Sequence, residues 1–169
     1  LNYNNYATYF QAESNWTSAI SSVIGVRFDH NMRYGDSTNP RAGLVLKPAS
    51  ATVLKLLYGE AYLAPAAERA FRFFGSFSGA KNSAGEFISS GLFSLPNPDL
   101  KPEKMRTFEF NLSRRVSENF VVEAAGFYTT ISDSNTLVFK NETSNFIEGA
   151  SIGRFARFEN KGQRVMYGG

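Results

Sequence analysis

The densest chemistry in the sequence lies in Glu68-Arg69-Ala70-Phe71-Arg72-Phe73-Phe74-Gly75-Ser76-Phe77, where two guanidinium groups interleave with four phenyl rings. Arg69, Phe71, Arg72, Phe73, Phe74 and Phe77 could hold an anionic, aromatic ligand through ionic and cation–π attraction. The competing reading is that most of these rings pack their own loop onto itself. Glu13, Arg27, Asp29, Arg41, Lys55, Glu109 and Glu123 share one parity of their segments, as on the wet side of a sheet, where they guide a solute or pair across strands. Glu109 and Glu123 have the side chains of a glycosidase pair, but the other residues on their side are plain Thr, Asn, Ser and Ala, and nothing else in the sequence supports an acid/base pair. The single histidine, His30, has no neighbour with which to share a metal or haem. Without cysteine there is no disulfide, no thiolate zinc site and no thiol nucleophile. Neither a glycine-rich phosphate cradle nor a metal-ligand cluster is found. These residues offer a binding surface rather than a reaction centre, and no cofactor is called for.

The elements that must carry this surface are bounded by composition. At 169 residues the chain is one domain or a piece of a larger one. Its 43% hydrophobic and 20% charged residues are those of a folded protein, with a high aromatic share of 15% that includes 16 Phe. The net charge is only +3 and the basic residues are dispersed, so no nucleic-acid partner is expected. No run approaches the ~18 apolar residues of a transmembrane helix. From Leu1 onward there is no charged segment followed by an apolar one, so no secretory leader is expected there.

Period-2 alternation recurs almost throughout, and it predicts strands at 5–14, 19–30, 40–47, 52–62, 105–115, 120–138 and 154–167. In Thr107-Phe108-Glu109-Phe110-Asn111-Leu112-Ser113 the alternation is unbroken. Over the first six strands, the apolar parity comprises Tyr6, Thr8, Phe10, Ala12, Ile20, Ser22, Ile24, Val26, Phe28, Ala42, Leu44, Leu46, Leu54, Leu56, Tyr58, Phe108, Phe110, Leu112, Phe120, Val122, Ala124, Gly126 and Tyr128. None of these 23 is charged, where 20% charge overall would place about 5. A soluble sheet with one buried face also clears charge from that face. Contact with lipid enforces it harder, since Lys or Arg at the bilayer midplane costs ~2–4 kcal/mol. Small Ser22, Ala42 and Gly126 among the apolar set, and aromatic residues near strand ends, favour lipid. Tight polar turns at Ser14–Ser18, Lys47–Ala51 and Arg115–Asn119 alternate with longer connections at His30–Pro40, Leu63–Lys104 and Asn141–Gly153. That arrangement predicts an antiparallel up-and-down transmembrane β-barrel with its functional loop at 63–104.

Three strings then occur in order. Asn39-Pro40-Arg41-Ala42-Gly43-Leu44-Val45-Leu46-Lys47-Pro48 precedes Leu54-Lys55-Leu56-Leu57-Tyr58-Gly59-Glu60-Ala61-Tyr62-Leu63-Ala64-Pro65, and Asn97-Pro98-Asp99-Leu100-Lys101-Pro102-Glu103 runs into Arg106-Thr107-Phe108-Glu109. Together they resemble the barrel of TonB-dependent outer-membrane receptors, in which a Tyr-Gly-Glu-Ala-Phe-Arg-Ala-Pro string leads into a long extracellular loop and an Asn-Pro-x-Leu-Lys-Pro-Glu string opens the next strand. The matching positions are Tyr58, Gly59, Glu60, Pro65, Asn97, Pro98, Leu100, Pro102 and Glu103, with Tyr62 and Leu63 standing where the family has Phe and Arg. The resemblance covers nearly all of residues 1–169. It implies a partial barrel, about seven strands of about 22, in a Gram-negative outer membrane. The plug domain and the N-terminal segment that engages TonB are then expected elsewhere in a parent chain. It also implies active import of a scarce nutrient, with a ferric siderophore ahead of haem, cobalamin and oligosaccharide. Haem receptors of the family typically carry a histidine between the second and third strings, and residues 66–96 contain none. The rival readings are a passive outer-membrane porin and a soluble β-sandwich that binds carbohydrate.

Overall fold

The computed structural model describes residues 4–169. The start of the chain at Leu1, read above for a leader, lies outside the described residues. In chain order the elements are β1 (Asn5–Asn15), β2 (Ile20–Asn31), β3 (Gly35–Ala49), β4 (Thr52–Leu63), α1 (Ala67–Phe71), β5 (Phe77–Lys81), β6 (Phe87–Ser89), β7 (Phe93–Ser94), β8 (Glu103–Ser117), β9 (Phe120–Lys140), β10 (Ala150–Ser151) and β11 (Phe155–Gly168). The seven long strands, β1 to β4, β8, β9 and β11, match the seven expected from alternation. The shortest has 11 residues, and about 9–11 tilted residues cross a bilayer. They order as β1-β2-β3-β4-β8-β9-β11, with β7 beyond β11. The β1–β2, β2–β3, β3–β4 and β8–β9 pairs are antiparallel. A separate small sheet has the order β10-β6-β5.

Two connections differ from expectation. The medium loop at His30–Pro40 is mostly strand: β3 begins at Gly35 and pairs with β2 from Asn31↔Gly35 onward. Buried Asn31 closes the turn, its side-chain oxygen accepting the N–H groups of Arg33 and Tyr34 at 2.8 and 2.9 Å. Gly35 takes the left-handed φ of +80° that the turn needs. The stretch from Asp36 to Asn39 is polar on both sides, so it pairs through its backbone without any alternation to announce it. The long segment at 63–104 is not structureless either, since α1, β5, β6 and β7 lie inside it.

The chain divides into two compact units. The first holds residues 1–63, 104–132 and 163–169, and the second holds 64–103 and 133–162. In the first unit the registers align the apolar parity across strands: Ala12↔Ile24↔Ala42↔Tyr58 and Ser14↔Ser22↔Leu44↔Leu56 each share one side. Phe108↔Tyr128, Phe110↔Gly126 and Leu112↔Ala124 do the same on β8 and β9. A Cβ on Gly126 would stand 2.4 Å from the Phe110 ring, so the glycine lets that ring lie flat across the neighbouring strand. Along this side of β8 the residues run Arg106, Phe108, Phe110, Leu112, Arg114, an apolar stretch bounded by charge at both ends. Eight residue steps at ~3.3 Å, tilted by ~40°, rise about 20 Å, close to the ~25 Å apolar band of an outer-membrane wall.

Every described buried hydrophobic residue belongs to the second unit. In the first, Tyr6, Phe10, Ile24, Phe28, Leu56, Phe108, Phe110, Leu112, Phe120 and Tyr128 remain 38–65% exposed. A soluble sandwich would bring these side chains into one closed core, and no such core forms among the described residues. A single layer with one continuous apolar face is a wall awaiting lipid.

Substituting Ile24→Arg in the apolar face is therefore expected to cost ~2–4 kcal/mol, whereas Ser21→Arg on the opposite face costs little. Urea titration of the full-length protein refolded into lipid vesicles measures the difference. Equal costs for the two variants would contradict the assignment of faces.

Candidate functional site

The loop surface is built around a small core in the second unit. Phe93, Leu95, Ile152 and Phe155 are buried together, with Ile147 against them. Two residues of β7 and two of β11 bring this core together through the parallel pairs Phe93↔Phe155 and Ser94↔Ala156. Around it sit several of the rings singled out from the sequence. Phe73 lies 6.1 Å from Phe93 and 6.3 Å from Phe146, centre to centre. Phe77 lies 5.1 Å from Phe93 and 6.3 Å from Phe87. Both keep an open side, Phe73 being half exposed. Phe74 is 69% exposed, held by backbone bonds to Ser94 in both directions at 3.0 and 2.7 Å. Phe71 is half-buried at the end of α1.

The two arginines are placed differently. Arg69 lies over the Phe158 ring at 5.6 Å, and its Nη1 reaches Glu103 Oε1 at 3.4 Å. Among the described residues Arg72 pairs with exposed Glu68 alone, at 3.6 Å, and keeps 53% of its side chain in water. Arg72 and Phe74 are thus the members most available to a ligand, while Arg69, Phe73 and Phe77 also serve the unit's own packing.

The string residues mostly fasten the chain to itself. Within the first unit, the Tyr58 ring packs on Phe108 at 4.7 Å, and the Tyr58 hydroxyl donates to Glu60. Glu60 also pairs with Arg106 Nε at 3.3 Å, one step beyond the aromatic residues on the apolar face. Gly59 sits between them, paired with Arg41 of β3. Within the second unit, Pro65 and Leu100 are buried and Pro102 is half-buried, while Pro98 stays exposed. Asn97 donates through Nδ2 to the Phe158 carbonyl at 2.8 Å, and its N–H donates to the Ala70 carbonyl at 2.9 Å. Glu103 accepts from the Asn135 N–H at 3.1 Å, the Ser134 hydroxyl at 3.3 Å and Arg69.

Two further residues were not among the site residues expected from the sequence. Asn160 bonds to Lys101, Asp133 and Asn135 at once. Glu159 lies almost buried among Lys161 Nζ at 2.6 Å, Arg157 Nε at 2.8 Å and Lys140 Nζ at 3.3 Å. The hydrogen bonds from Lys161 and Arg157 hold its carboxyl down at about 2, against the opposing effect of burial. The alternation of Arg157, Glu159 and Lys161 on one side of β11 was the available signal. Lys140 comes from β9 and could not be seen in it.

On the charged face of the first unit, Asp29 is buried between Arg27, which bonds it through Nε and Nη2 at 2.8–3.0 Å, and Asn39 Nδ2 at 3.2 Å. Arg41 reaches across Gly25 to Gln11, which in turn donates to Glu13 at 2.6 Å. Arg27, Arg41, Glu13 and Asn39 line a groove of about 610 Å³. Among the described residues, the one ion pair within the charged set is Arg27–Asp29, which runs along β2 rather than across strands, and Glu13, Arg41, Lys55, Glu109 and Glu123 have no ion-pair partner, so the expected cross-strand ion-pair ladder does not form there. His30 stands apart, its Nδ1 2.6 Å from Asp36 Oδ1 at the tight β2–β3 turn.

Residues 1–168 match the family described as TonB dependent receptor-like, beta-barrel. The chain belongs to the TonB-dependent receptor family. This is a family of outer-membrane transport receptors of Gram-negative bacteria, which removes the porin alternative. The fold agrees with solved receptors. A mutant of the ferric enterobactin receptor PfeA from Pseudomonas aeruginosa, in complex with enterobactin, superposes with a TM-score of 0.77 at 18% identity, over 97% of this chain and 23% of that one. The siderophore receptor PirA from Acinetobacter baumannii gives 0.75 at 20% identity, over 97% and 24%. A double mutant of the Serratia marcescens hemophore receptor HasR, with its hemophore HasA and heme, gives 0.65 at 15%, over 98% and 31%. The chain thus spans 23–31% of the length of these receptors. No curated protein matches significantly.

Two outcomes follow for the receptor's second unit. Asn97→Ala removes the donor to the Phe158 carbonyl and is expected to cost about 1–3 kcal/mol, read as faster limited proteolysis within 64–103. Glu159→Gln is expected to cost about 2 kcal/mol at pH 7, after allowing for water around half-exposed Lys161 and Arg157. Because the folded carboxyl titrates below its unfolded value, its stabilisation is complete above about pH 5 and fades as pH falls toward 2. Urea titrations of the parent and Glu159→Gln proteins should therefore converge at acid pH; a constant gap down to pH 2 would contradict the ionic role.

Proposed function

We propose that this chain supplies part of the wall and a capture loop of an outer-membrane active importer whose cargo is a ferric siderophore. Energy would arrive through TonB, acting on a plug carried by the rest of the receptor. The observation that carries the reading is a spanning wall with an apolar face bounded by charge, in a chain of this family. The segment at 63–104 is the extracellular loop of this reading. There Arg72 and Phe74 offer a cation and an open ring to an anionic aromatic chelate, with Arg69, Phe71, Phe73 and Phe77 completing the surface. Structural similarity to receptors named for siderophores supports the cargo class.

The test is uptake of radiolabelled ferric siderophores by iron-starved cells whose only siderophore receptor is the full-length protein. Uptake of at least one siderophore is expected, abolished by loss of TonB. The double variant Arg72→Ala, Phe74→Ala should bind that siderophore about 5–30-fold more weakly, equivalent to about 1–2 kcal/mol. Uptake that persists without TonB, or uptake of none of a broad siderophore panel, would overturn the reading.

A further inference from the structure

The end of the 63–104 segment is tied down by one amide. Asn160 Nδ2 lies 2.8 Å from each of three acceptors, the carbonyls of Lys101 and Asp133 and the side-chain oxygen of Asn135. Its Oδ1 accepts the Lys101 N–H, also at 2.8 Å. A side-chain amide carries two N–H donors, so the three acceptors compete for two hydrogens and one bond must be shared. The backbone beside this knot is strained. Asp133 has φ +55°, the one left-handed non-glycine among the described residues, inside strand β9. The β8–β9 ladder ends immediately before it, at Lys104↔Ser132. Buried Ser134 and Asn135 follow, both bonded to Glu103. An over-subscribed donor and a strained backbone at the same point are the physical makings of a two-state element.

We propose that Asn160 and the Asp133–Asn135 segment form a latch whose opening frees the Asn97–Glu103 return segment. Closed, the amide holds Lys101 on both sides and Asp133 keeps its left-handed turn. Open, Lys101 is released, Asp133 relaxes to extended backbone, and the amide keeps Asn135. Under the import reading given above, on which this functional role rests, the latch regulates how long the capture loop retains its cargo.

Hydrogen exchange of the full-length receptor in detergent, without cargo, tests the latch itself. Asn160→Ala is expected to speed exchange across 97–103 and 133–135 about tenfold, the loss of roughly one net hydrogen bond, with β1–β4 unchanged. Asp133→Gly removes the left-handed strain and is expected to slow exchange in the same two segments. An unchanged rate at 97–103 in Asn160→Ala overturns the latch, as does an equal acceleration in β1–β4, which would make Asn160 a general folding residue. If Asn160→Ala does not fold, Asp133→Gly decides alone: exchange as fast as in the parent protein or faster overturns the proposal. A ferric siderophore is then expected to dissociate faster from Asn160→Ala than from the parent receptor. Failure of the parent receptor to bind any siderophore would sink the import reading while leaving the exchange result standing.

Discussion

A peptide group in hydrocarbon has no water to accept its hydrogen bonds, so every backbone N–H and C=O at membrane depth must find a partner in the next strand. This constraint explains why the first unit is one layer of long strands with no apolar core among its described residues. Its stability comes from ladder bonds and from lipid on the apolar face, so side chains need not be buried by other protein. The same constraint explains the edges. β1 ends the sheet on one side, with only one neighbour. A strand edge of this length is costly in lipid and aggregation-prone in water. Its need for a partner accords with a chain that spans about a quarter of PfeA and PirA.

The wall was legible in the sequence because lipid and water impose a strict two-residue period. Ile24, Leu44, Leu56 and Phe110 could be assigned to one side before any coordinate, and their registers place them there. The start of β3 was not legible for the converse reason. From Asp36 to Asn39 neither side is apolar, and the segment is held by backbone pairing to β2 and by the Asn31 turn. Charge marks the boundary between the two regimes. Glu60 and Arg106 share the apolar side's parity, yet they pair with each other just beyond Tyr58 and Phe108, where the aromatic residues meet water.

The second unit follows different rules, and its internal structure was hidden. β5, β6, β7 and β10 are two to five residues long, too short to show a period. They exist because Phe93, Ile152 and Phe155 bury one another across large sequence separations. The phenyl-rich string pointed to the right neighbourhood. It could not separate Phe73 and Phe77, which lean on Phe93, from Phe74, which does not. Nor could it show that Arg69 already faces Glu103 and Phe158.

The strings that carried the family resemblance have a common physical role. Closing a long loop costs entropy that grows only slowly with length, so the loop itself is cheap to extend but has many shapes available. Holding one shape requires fasteners near its ends. Pro65 and Leu100 are buried there, Asn97 reaches the Phe158 carbonyl, Glu103 gathers three donors, and Asn160 returns the grip from β11. With the ends fixed in this way and Phe93 and Leu95 buried in the core, the exposed residues between the ends are free to vary in sequence without unfolding the unit. Recognition can then reside in exposed positions such as Arg72 and Phe74, while the strings on either side keep that surface in place.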